Sequence, residues 1–399
     1  MAYQGRYHNN DSGGKARGGA WKIVLIVVLC VVLLLGLLFG AAYFYLDSKL
    51  NKINKATFEE KDVSGQDLSA LIGNLDESNP TINISETVPT EAPTEAPTEA
   101  PTEPDYGETG KIVNILLIGQ DGREGEEAKL ADGIMLFTLN KETRTLTTTS
   151  FLRDSYVKLP DYYRGHTCGW NRINTSYALG YSWFGNAGAM EMLNLTLENN
   201  YGVKVDGNVE VDFSAVVKIV DAMGGVDIDL RGDELAKMLE YQGYRNAHFE
   251  YVGIEKRFDL QEGVNTLDGY LALAYARERH MSNADSDIQR TARQRKVIES
   301  LLNKLSKMSL SQINSLIDQV LAEIVTDIST DDMKMYITEL VPYVFDLKLE
   351  SYQVPAEGTY WGEMVELPDG VGGVLKIEFE KNKKVVAAIQ NGEEVPTFE

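Results

Sequence analysis

The sequence predicts a layered α/β domain over residues 111–399, preceded by one membrane-spanning helix and an extended linker. Apolar runs rich in β-branched residues indicate buried strands. These runs alternate with segments of helical periodicity, which is typical of α/β folds. The chain has 399 residues, of which 43% are hydrophobic, so it can bury a sizeable core.

The N-terminal part predicts a membrane anchor. Residues 23–46 form an uncharged, largely apolar run of 24 residues, which is long enough to cross a bilayer. Basic residues exceed acidic ones in the tail 1–22, so we expect that tail in the cytoplasm and everything after residue 46 outside. Cleavage of the run as a signal peptide after Ala41 or Ala42 is the alternative.

Residues 47–109 predict a linker outside the membrane. They are polar and acidic, and the sequence Pro-Thr-Glu-Ala repeats from Pro89 onward. A proline at every fourth position, with like charges between, favours a semi-rigid spacer of about 3 Å per residue. Such a spacer suits a domain that works at a distance from the bilayer, within or across a cell wall.

Folding signals begin at Lys111. Predicted strands cover residues 112–118, 134–139, 145–152, 226–230 and 374–377. Predicted helices cover residues 211–223, 267–276, 286–308, 311–324 and 330–341. Segment 378–389 fits either a helix or a hairpin.

Composition excludes several classes of protein. Sixty acidic residues against 38 basic ones make nucleic acid a poor partner for the exported part. The two cysteines cannot form a disulfide framework, because Cys30 lies inside the predicted membrane span and Cys168 has no partner. The four histidines lack zinc-ligand spacing.

A cluster of arginines interrupts this acidic composition. Its members are Arg277, Arg279, Arg290, Arg293 and Arg295. Arginine carries a permanent charge on a planar fork that matches carboxylate and phosphate oxygens. The helix predicted from Ser286 places Arg290, Arg293 and Gln294 on one stripe, which predicts an anion site. The alternative is a solvated helix start whose arginines pair with nearby carboxylates, and spacing alone leaves both interpretations open.

Polar residues at the ends of the predicted strands form a second group of candidates. Asp121 follows the first strand, Asp132 precedes the second, and Arg153 and Asp154 follow the third. Ligands of α/β folds bind at strand ends. Two aspartates there could share a Mg²⁺, which prefers one or two carboxylates together with phosphate oxygens and water.

These segments, in this order, resemble the LytR-CpsA-Psr family. The matching segments are Asn114–Arg123, Ala131–Leu136, Ser150–Val157, Arg172–Tyr177, Val220–Asp227, Leu273–His280 and Asp287–Gln294. The resemblance implies a three-layer α/β/α sandwich with a mixed central sheet over residues 110–345. Residues 346–399 would then be an extension that packs on the same domain.

The resemblance also implies an activity. Family members are membrane-anchored phosphotransferases of Gram-positive-type bacteria. They move a glycopolymer, such as a teichoic acid or capsule, from a polyprenyl pyrophosphate to peptidoglycan. The alternatives are a phosphatase that acts on polyprenyl pyrophosphate and a non-catalytic lipid-binding regulator of the envelope.

By matching position, the resemblance assigns roles to eleven residues. Asp121 and Asp132 match the Mg²⁺ ligands, with Mn²⁺ as an alternative cation. The residues that match the pyrophosphate-binding set are Arg123, Arg153, Arg172, Arg277, Arg279, Arg290 and Gln294. The residues implied in catalysis are Arg153, Asp154, Asp287 and Arg290, the two aspartates orienting arginines or assisting proton removal.

Three departures from the family pattern stand out. Leu130-Ala-Asp-Gly133 replaces the usual Arg-Ser-Asp-Thr, so one cation and one hydroxyl are missing near Asp132. Arg172 replaces a lysine and keeps its charge. Residues 240–259 form an insert that could influence polymer choice.

Overall fold

A mixed sheet of seven strands lies at the centre of the fold. The computed structural model describes residues 45, 47–61, 110–120, 130–278, 287–340 and 347–398, apart from 253, 256 and 369. Within these ranges no helix has both the length and the apolarity needed to cross a bilayer. The predicted span 23–46 lies outside them except for Tyr45, so the membrane anchor stays a prediction.

The sheet combines parallel and antiparallel pairs, as predicted. In spatial order its strands are β1 (Asn54–Lys55), β12 (Val325–Thr326), β9 (Gly207–Asp212), β2 (Ile112–Gln120), β3 (Ala131–Asn140), β4 (Thr145–Phe151) and β13 (Lys348–Val354). The pairs β1/β12, β2/β9 and β4/β13 are parallel, and the other neighbours are antiparallel. Three of the predicted strands, 112–118, 134–139 and 145–152, are therefore confirmed as β2, β3 and β4.

Four antiparallel ribbons surround the sheet. They are β5 (Tyr156–Lys158) with β8 (Trp170–Arg172), β6 (Tyr162–Tyr163) with β7 (His166–Thr167), β10 (Val226–Leu230) with β11 (Gly263–Leu267), and β14 (Tyr360–Leu367) with β15 (Gly370–Ile377). The predicted strand 374–377 is the second half of β15.

The helices are α1 (Ile173–Tyr201), α2 (Phe213–Ala222), α3 (Gly232–Tyr251), α4 (Gly269–Arg277), α5 (Asp287–Leu305), α6 (Leu310–Val320), α7 (Thr330–Leu340) and α8 (Phe379–Asn391). The ambiguous segment 378–389 is thus a helix. Helix 211–223 was predicted too early, because residues up to Asp212 pair with β2 as strand β9. Residues 240–251 of the predicted insert 240–259 form the second half of α3.

Helices cover both faces of the sheet. Leu116 of β2 belongs to a core shared with Leu193 of α1 and Val385 of α8. Val113 of the same strand belongs to a core shared with Met333 of α7. Residues an odd number of positions apart on a strand point to opposite faces, so these helices form layers on either side.

The long helix α1 was not predicted. Twenty of its 29 residues are buried, so it lacks the polar stripe by which an amphipathic helix is recognised. Its backbone leaves helical geometry at Phe184 and Gly185, where Gly185 has a positive φ of 70°. The kink lets the two arms of α1 approach each other closely at Gly180 and Gly188.

The N-terminal end of the fold corrects the predicted linker. Leu50 is buried with the α7 core, and β1 pairs with β12 in the central sheet. Beyond β1, the amide groups of Glu59 and Lys61 donate to carbonyls at the kink of α1. Residues 49–61 therefore belong to the folded unit, and the remaining part of the predicted linker connects two strands of one sheet. It cannot act as a spacer between membrane and domain, which was its predicted role.

The contact between Gly180 and Gly188 gives a test of packing. An added Cβ at Gly180 would lie 2.4 Å from the carbonyl oxygen of Gly188, whereas Cβ at exposed Gly243 of α3 meets nothing within 4 Å. We expect Gly180→Ala to lower the free energy of unfolding by about 1–3 kcal/mol. Gly243→Ala, the control, should raise it by about 0.5–1 kcal/mol. Urea unfolding of both variants measures the difference, and an unchanged Gly180→Ala midpoint would contradict the close approach.

The N-terminal segment gives a second test. Removing residues 47–61 exposes the pocket of Leu50 and breaks the pairing of β1, so we expect the free energy of unfolding to fall by at least about 3 kcal/mol. Removing residues 89–104, the repeat, is the control and should leave stability nearly unchanged. Equal thermal midpoints for the two deletions would show that residues 49–61 contribute nothing to the fold.

Candidate functional site

An ion pair between Asp132 and Arg153 lies at one edge of the central sheet. Asp132 is the second residue of β3, and Arg153 follows the end of β4. Because the two strands are antiparallel neighbours, the start of one and the end of the other meet at the same edge. Arg153 Nη1 lies 2.5 Å from Asp132 Oδ1, with both side chains largely buried.

The backbone around Arg153 is held on two sides. Its carbonyl accepts a hydrogen bond of 3.3 Å from the amide of Asn174 in the first turn of α1. The next carbonyl, that of Asp154, accepts from the amide of Leu375 in β15 at 2.8 Å. These bonds fix the direction in which Arg153 leaves the sheet.

Helix α5 brings Arg290 and Gln294 to the same edge. Arg290 is only 2% exposed, and its Nη1 lies 4.0 Å from Asp132 Oδ2. One turn later, Gln294 Oε1 approaches Gly133, within 3.8 Å of where a Cβ would stand. Each carboxylate oxygen of Asp132 thus faces one arginine. Arg290 and Gln294, which were predicted to share one stripe of the helix, both reach this site.

Asp154 lies between two further arginine contacts. Its Oδ1 is 3.6 Å from Arg153 Nε and 3.9 Å from Arg172 Nε. Arg172 also donates through Nε to the carbonyl of Gly373 in β15, at 3.0 Å. Asp132, Asp154 and the three arginines therefore form one continuous group of alternating charge, which we call the arginine group.

Arg277 approaches this sheet edge from another direction. It ends α4, is exposed, and lies with its guanidinium carbon 4.1 Å from the centre of the Phe213 ring. Phe213 directly follows β9, whose last residue Asp212 is in register with Gln120 at the end of β2. A cation over an aromatic face is held by the ring quadrupole, so Phe213 keeps Arg277 near the end of β2.

The roles of four of the eleven predicted residues stay predictions. Asp121, Arg123 and Arg279 lie outside the described residues. Asp287 begins α5, but its side chain is also outside them. Within the described part of the chain, no three His, Cys, Asp or Glu side chains gather as a metal group.

Arg293 and Arg295 of the cluster have other surroundings. Arg293 is 2% exposed and donates to the backbone carbonyl of Glu278, which ties α5 to the end of α4. Burial lowers the pKa of Arg295, and the charge of Glu299 opposes that shift. Arg295 lines a cavity of about 930 Å³ between β13 and the C-terminal residues. These two arginines therefore do not join the arginine group in the structure.

A buried polar group behind this edge was missed by the sequence analysis. Glu210 of β9 is 1% exposed and accepts hydrogen bonds of 2.7 Å from the Tyr177 hydroxyl and from Asn186. Burial and the Glu210 charge raise the pKa of Tyr177 well above its ordinary value. Both partners belong to α1, so the bonds hold the first arm and the kink of that helix on the sheet. Since α1 itself was not predicted, no sequence signal pointed to this contact.

Comparison with known proteins assigns the family. Residues 71–369 match the model of the LytR_cpsA_psr family. Biofilm regulatory protein A of Streptococcus mutans is 29% identical over 270 residues, which cover 64% of this chain and 61% of that protein. The polyisoprenyl-teichoic acid–peptidoglycan teichoic acid transferase TagT of Bacillus subtilis is 28% identical over 259 residues, covering 62% of this chain and 70% of TagT.

Solved structures share the fold. Protein gbs0355 from Streptococcus agalactiae aligns with a TM-score of 0.53 at 25% identity, over 72% of this chain and 91% of that one. TagT, in a structure described as bound to LIIa-WTA, aligns with a TM-score of 0.50 at 23% identity, over 72% of this chain and 92% of TagT. The family model spans most of the chain and the central mixed sheet recurs in these structures. The chain therefore belongs to the LytR-CpsA-Psr family.

Proposed function

We propose that this protein is a membrane-anchored phosphotransferase that moves a glycopolymer from polyprenyl pyrophosphate to peptidoglycan. The observation that carries the proposal is the arginine group, in which Arg153, Arg172 and Arg290 converge on two carboxylates at one sheet edge. The relative TagT is named for a transfer of teichoic acid to peptidoglycan, which supports the same chemistry here.

The arginine group suits a pyrophosphate. Phosphoryl transfer spreads negative charge over the phosphate oxygens, and catalysis consists largely of positioning and charge stabilisation. Each charge-assisted hydrogen bond contributes about 1.5–3 kcal/mol, so several arginine forks can bind a pyrophosphate even on an acidic protein. Arg290 is largely desolvated, which strengthens its interaction with a bound anion.

The reaction we propose is an in-line displacement. A sugar hydroxyl of the acceptor attacks the phosphorus nearer the polymer, forming a new P–O bond. The bond from that phosphorus to the bridging oxygen breaks, and the lipid monophosphate leaves with the bridging oxygen and both bonding electrons. The hydroxyl proton passes to a carboxylate. Because Asp154 lies between two arginines, orienting them is the role that its contacts support, which leaves Asp287 or a metal-site aspartate as the base.

Mg²⁺ fits the donors at this edge. Asp132 offers a carboxylate beside arginines that would hold the phosphates, and Asp121 is its proposed partner. Gln120 precedes Asp121, and its buried side-chain carbonyl oxygen has no hydrogen bond to any described residue. An amide oxygen of this kind is a ligand that hard cations prefer. When bound, the cation would neutralise charge on the phosphate oxygens.

The proposal predicts which variants lose transfer. Full-length protein in detergent would be incubated with a synthetic polyprenyl-pyrophosphate glycan and peptidoglycan oligomers, with and without Mg²⁺, and the products weighed by mass spectrometry. Asp132→Asn and Arg290→Lys should each lower the transfer rate by about 100-fold or more, since the first removes a carboxylate proposed to hold Mg²⁺ and the second a guanidinium fork proposed to hold the phosphates. Arg231→Lys, an exposed arginine outside the arginine group, is the control and should transfer normally.

Each other product pattern supports a different function. Free glycan phosphate or inorganic phosphate without a linked product would indicate the phosphatase, in which water replaces the sugar. Unchanged lipid that stays bound to the protein, with all donor glycans tried, would indicate the lipid-binding regulator. Normal transfer by both site variants would refute the assignment of the arginine group.

Phe213 offers a test that changes no charge. Phe213→Leu removes the ring beneath Arg277. We expect pyrophosphate to bind about two- to fivefold more weakly, because one exposed cation–π contact contributes a free energy of that size. Tyr270→Leu is the matched control, because Tyr270 lies 5.1 Å from Arg245, which is not part of the site. Calorimetric titration with inorganic pyrophosphate and Mg²⁺ measures both. Equal losses in the two variants would exclude a specific role for Arg277.

A further inference from the structure

Two tryptophans stand exposed beside the arginine group. Trp170 of β8 is 44% exposed and Trp361 of β14 is 51% exposed. Large aromatic surfaces left in water often mark sites of contact with a ligand. Both tryptophans lie on small ribbons at the rim of the site rather than on the central sheet.

The β5–β8 ribbon connects Trp170 to the site. Tyr156 is directly opposite Arg172, and Lys158 is opposite Trp170. Residues two apart on a strand share a face, so Trp170 and Arg172 point the same way about 7 Å apart. The Tyr156 ring stacks on Trp170, with centroids 5.4 Å apart and planes at 24°. The aromatic surface therefore begins next to a member of the arginine group.

The β14–β15 hairpin extends this surface. Lys376 Nζ lies 3.9 Å from the centre of the Tyr156 ring, and Trp361 is directly opposite Lys376 in the hairpin. Gly372 lets the hairpin come close, because a Cβ there would lie 2.5 Å from Arg172 Nη2. We call the surface formed by Tyr156, Trp170, Trp361 and Lys376 the aromatic ledge.

We propose that the aromatic ledge binds the glycan chain of the acceptor. This inference rests on the proposed function and names the site of its second substrate. Pyranose rings present flat C–H faces that cover an aromatic ring, which removes apolar surface from water on both partners. The lysine between the rings donates to sugar oxygens.

The position of the ledge suits an acceptor. A sugar seated on Trp170 is within one or two ring lengths of Arg172, and Arg172 is linked through Asp154 to Arg153 and Asp132. A lipid tail would instead need a continuous apolar groove without charges between its walls.

The test measures glycan binding apart from transfer. Full-length protein would be titrated with the pentasaccharide of N-acetylglucosamine and with purified peptidoglycan glycan strands. Trp170→Ala and Trp361→Ala should each weaken binding about five- to tenfold, because each removes one stacking surface. Phe at either position should restore most of the affinity. In the transfer assay, the acceptor KM should rise in the alanine variants while the donor KM stays constant.

Tyr251→Ala is the matched control, since Tyr251 of α3 is 89% exposed and outside the ledge. Thermal unfolding of every variant checks that the fold is intact. Absence of glycan binding by the unmodified protein, or unchanged binding and acceptor KM in both tryptophan variants, would overturn the ledge. Tryptophan-dependent glycan binding without any transfer would retain the ledge and refute the transferase.

Discussion

The pairing of Asp132 with Arg153 and Arg290 is the interaction on which the candidate site depends. Three guanidinium groups at one sheet edge would repel each other and resist burial without nearby negative charge. The carboxylates of Asp132 and Asp154 lie among them, so that each arginine lies within 4.0 Å of an acidic oxygen. The aspartates therefore allow the fold to hold a concentrated anion site in a protein with a net charge of −22.

Different parts of the chain supply this group, and the core fixes each one. The β3 and β4 strands give Asp132 and Arg153, α5 gives Arg290, and the start of α1 fixes the loop that carries Arg153. Arg293 ties α5 to the end of α4, although its spacing alone did not distinguish it from Arg290. Arg290 and Arg293 are both 2% exposed, so the partner of each guanidinium, and not its burial, separates the structural arginine from the one at the site. A sequence contains no direct record of those partners.

Elements whose signals lie close together in the sequence were predicted, and elements that depend on distant contacts were not. Strands β2 and β3 are largely apolar runs and β4 is rich in β-branched threonines, and the three are neighbours both along the chain and in the sheet, so local pattern found them. The edge residues Asp132 and Arg153 could be named because they precede or follow such runs, whereas Arg172 was named through the resemblance to the family. Helix α1 was missed since it is buried on nearly all sides, and β1 was missed because only two residues pair, with a strand some 270 positions away. The ends of β9 and α2 were merged for lack of any breaker between Asp212 and Phe213.

Because β1 and β2 belong to one sheet, the proline repeat lies in a connection within the folded unit. Both ends of segment 62–109 are fixed to the folded unit, so the segment closes a loop instead of extending the chain. The entropic cost of joining two fixed points grows slowly with the length of the connecting chain, by about 0.6 kcal/mol for each doubling. Gain or loss of whole Pro-Thr-Glu-Ala units should thus be nearly neutral for stability. We therefore expect the number of repeats to be free to change without disturbing the folded unit.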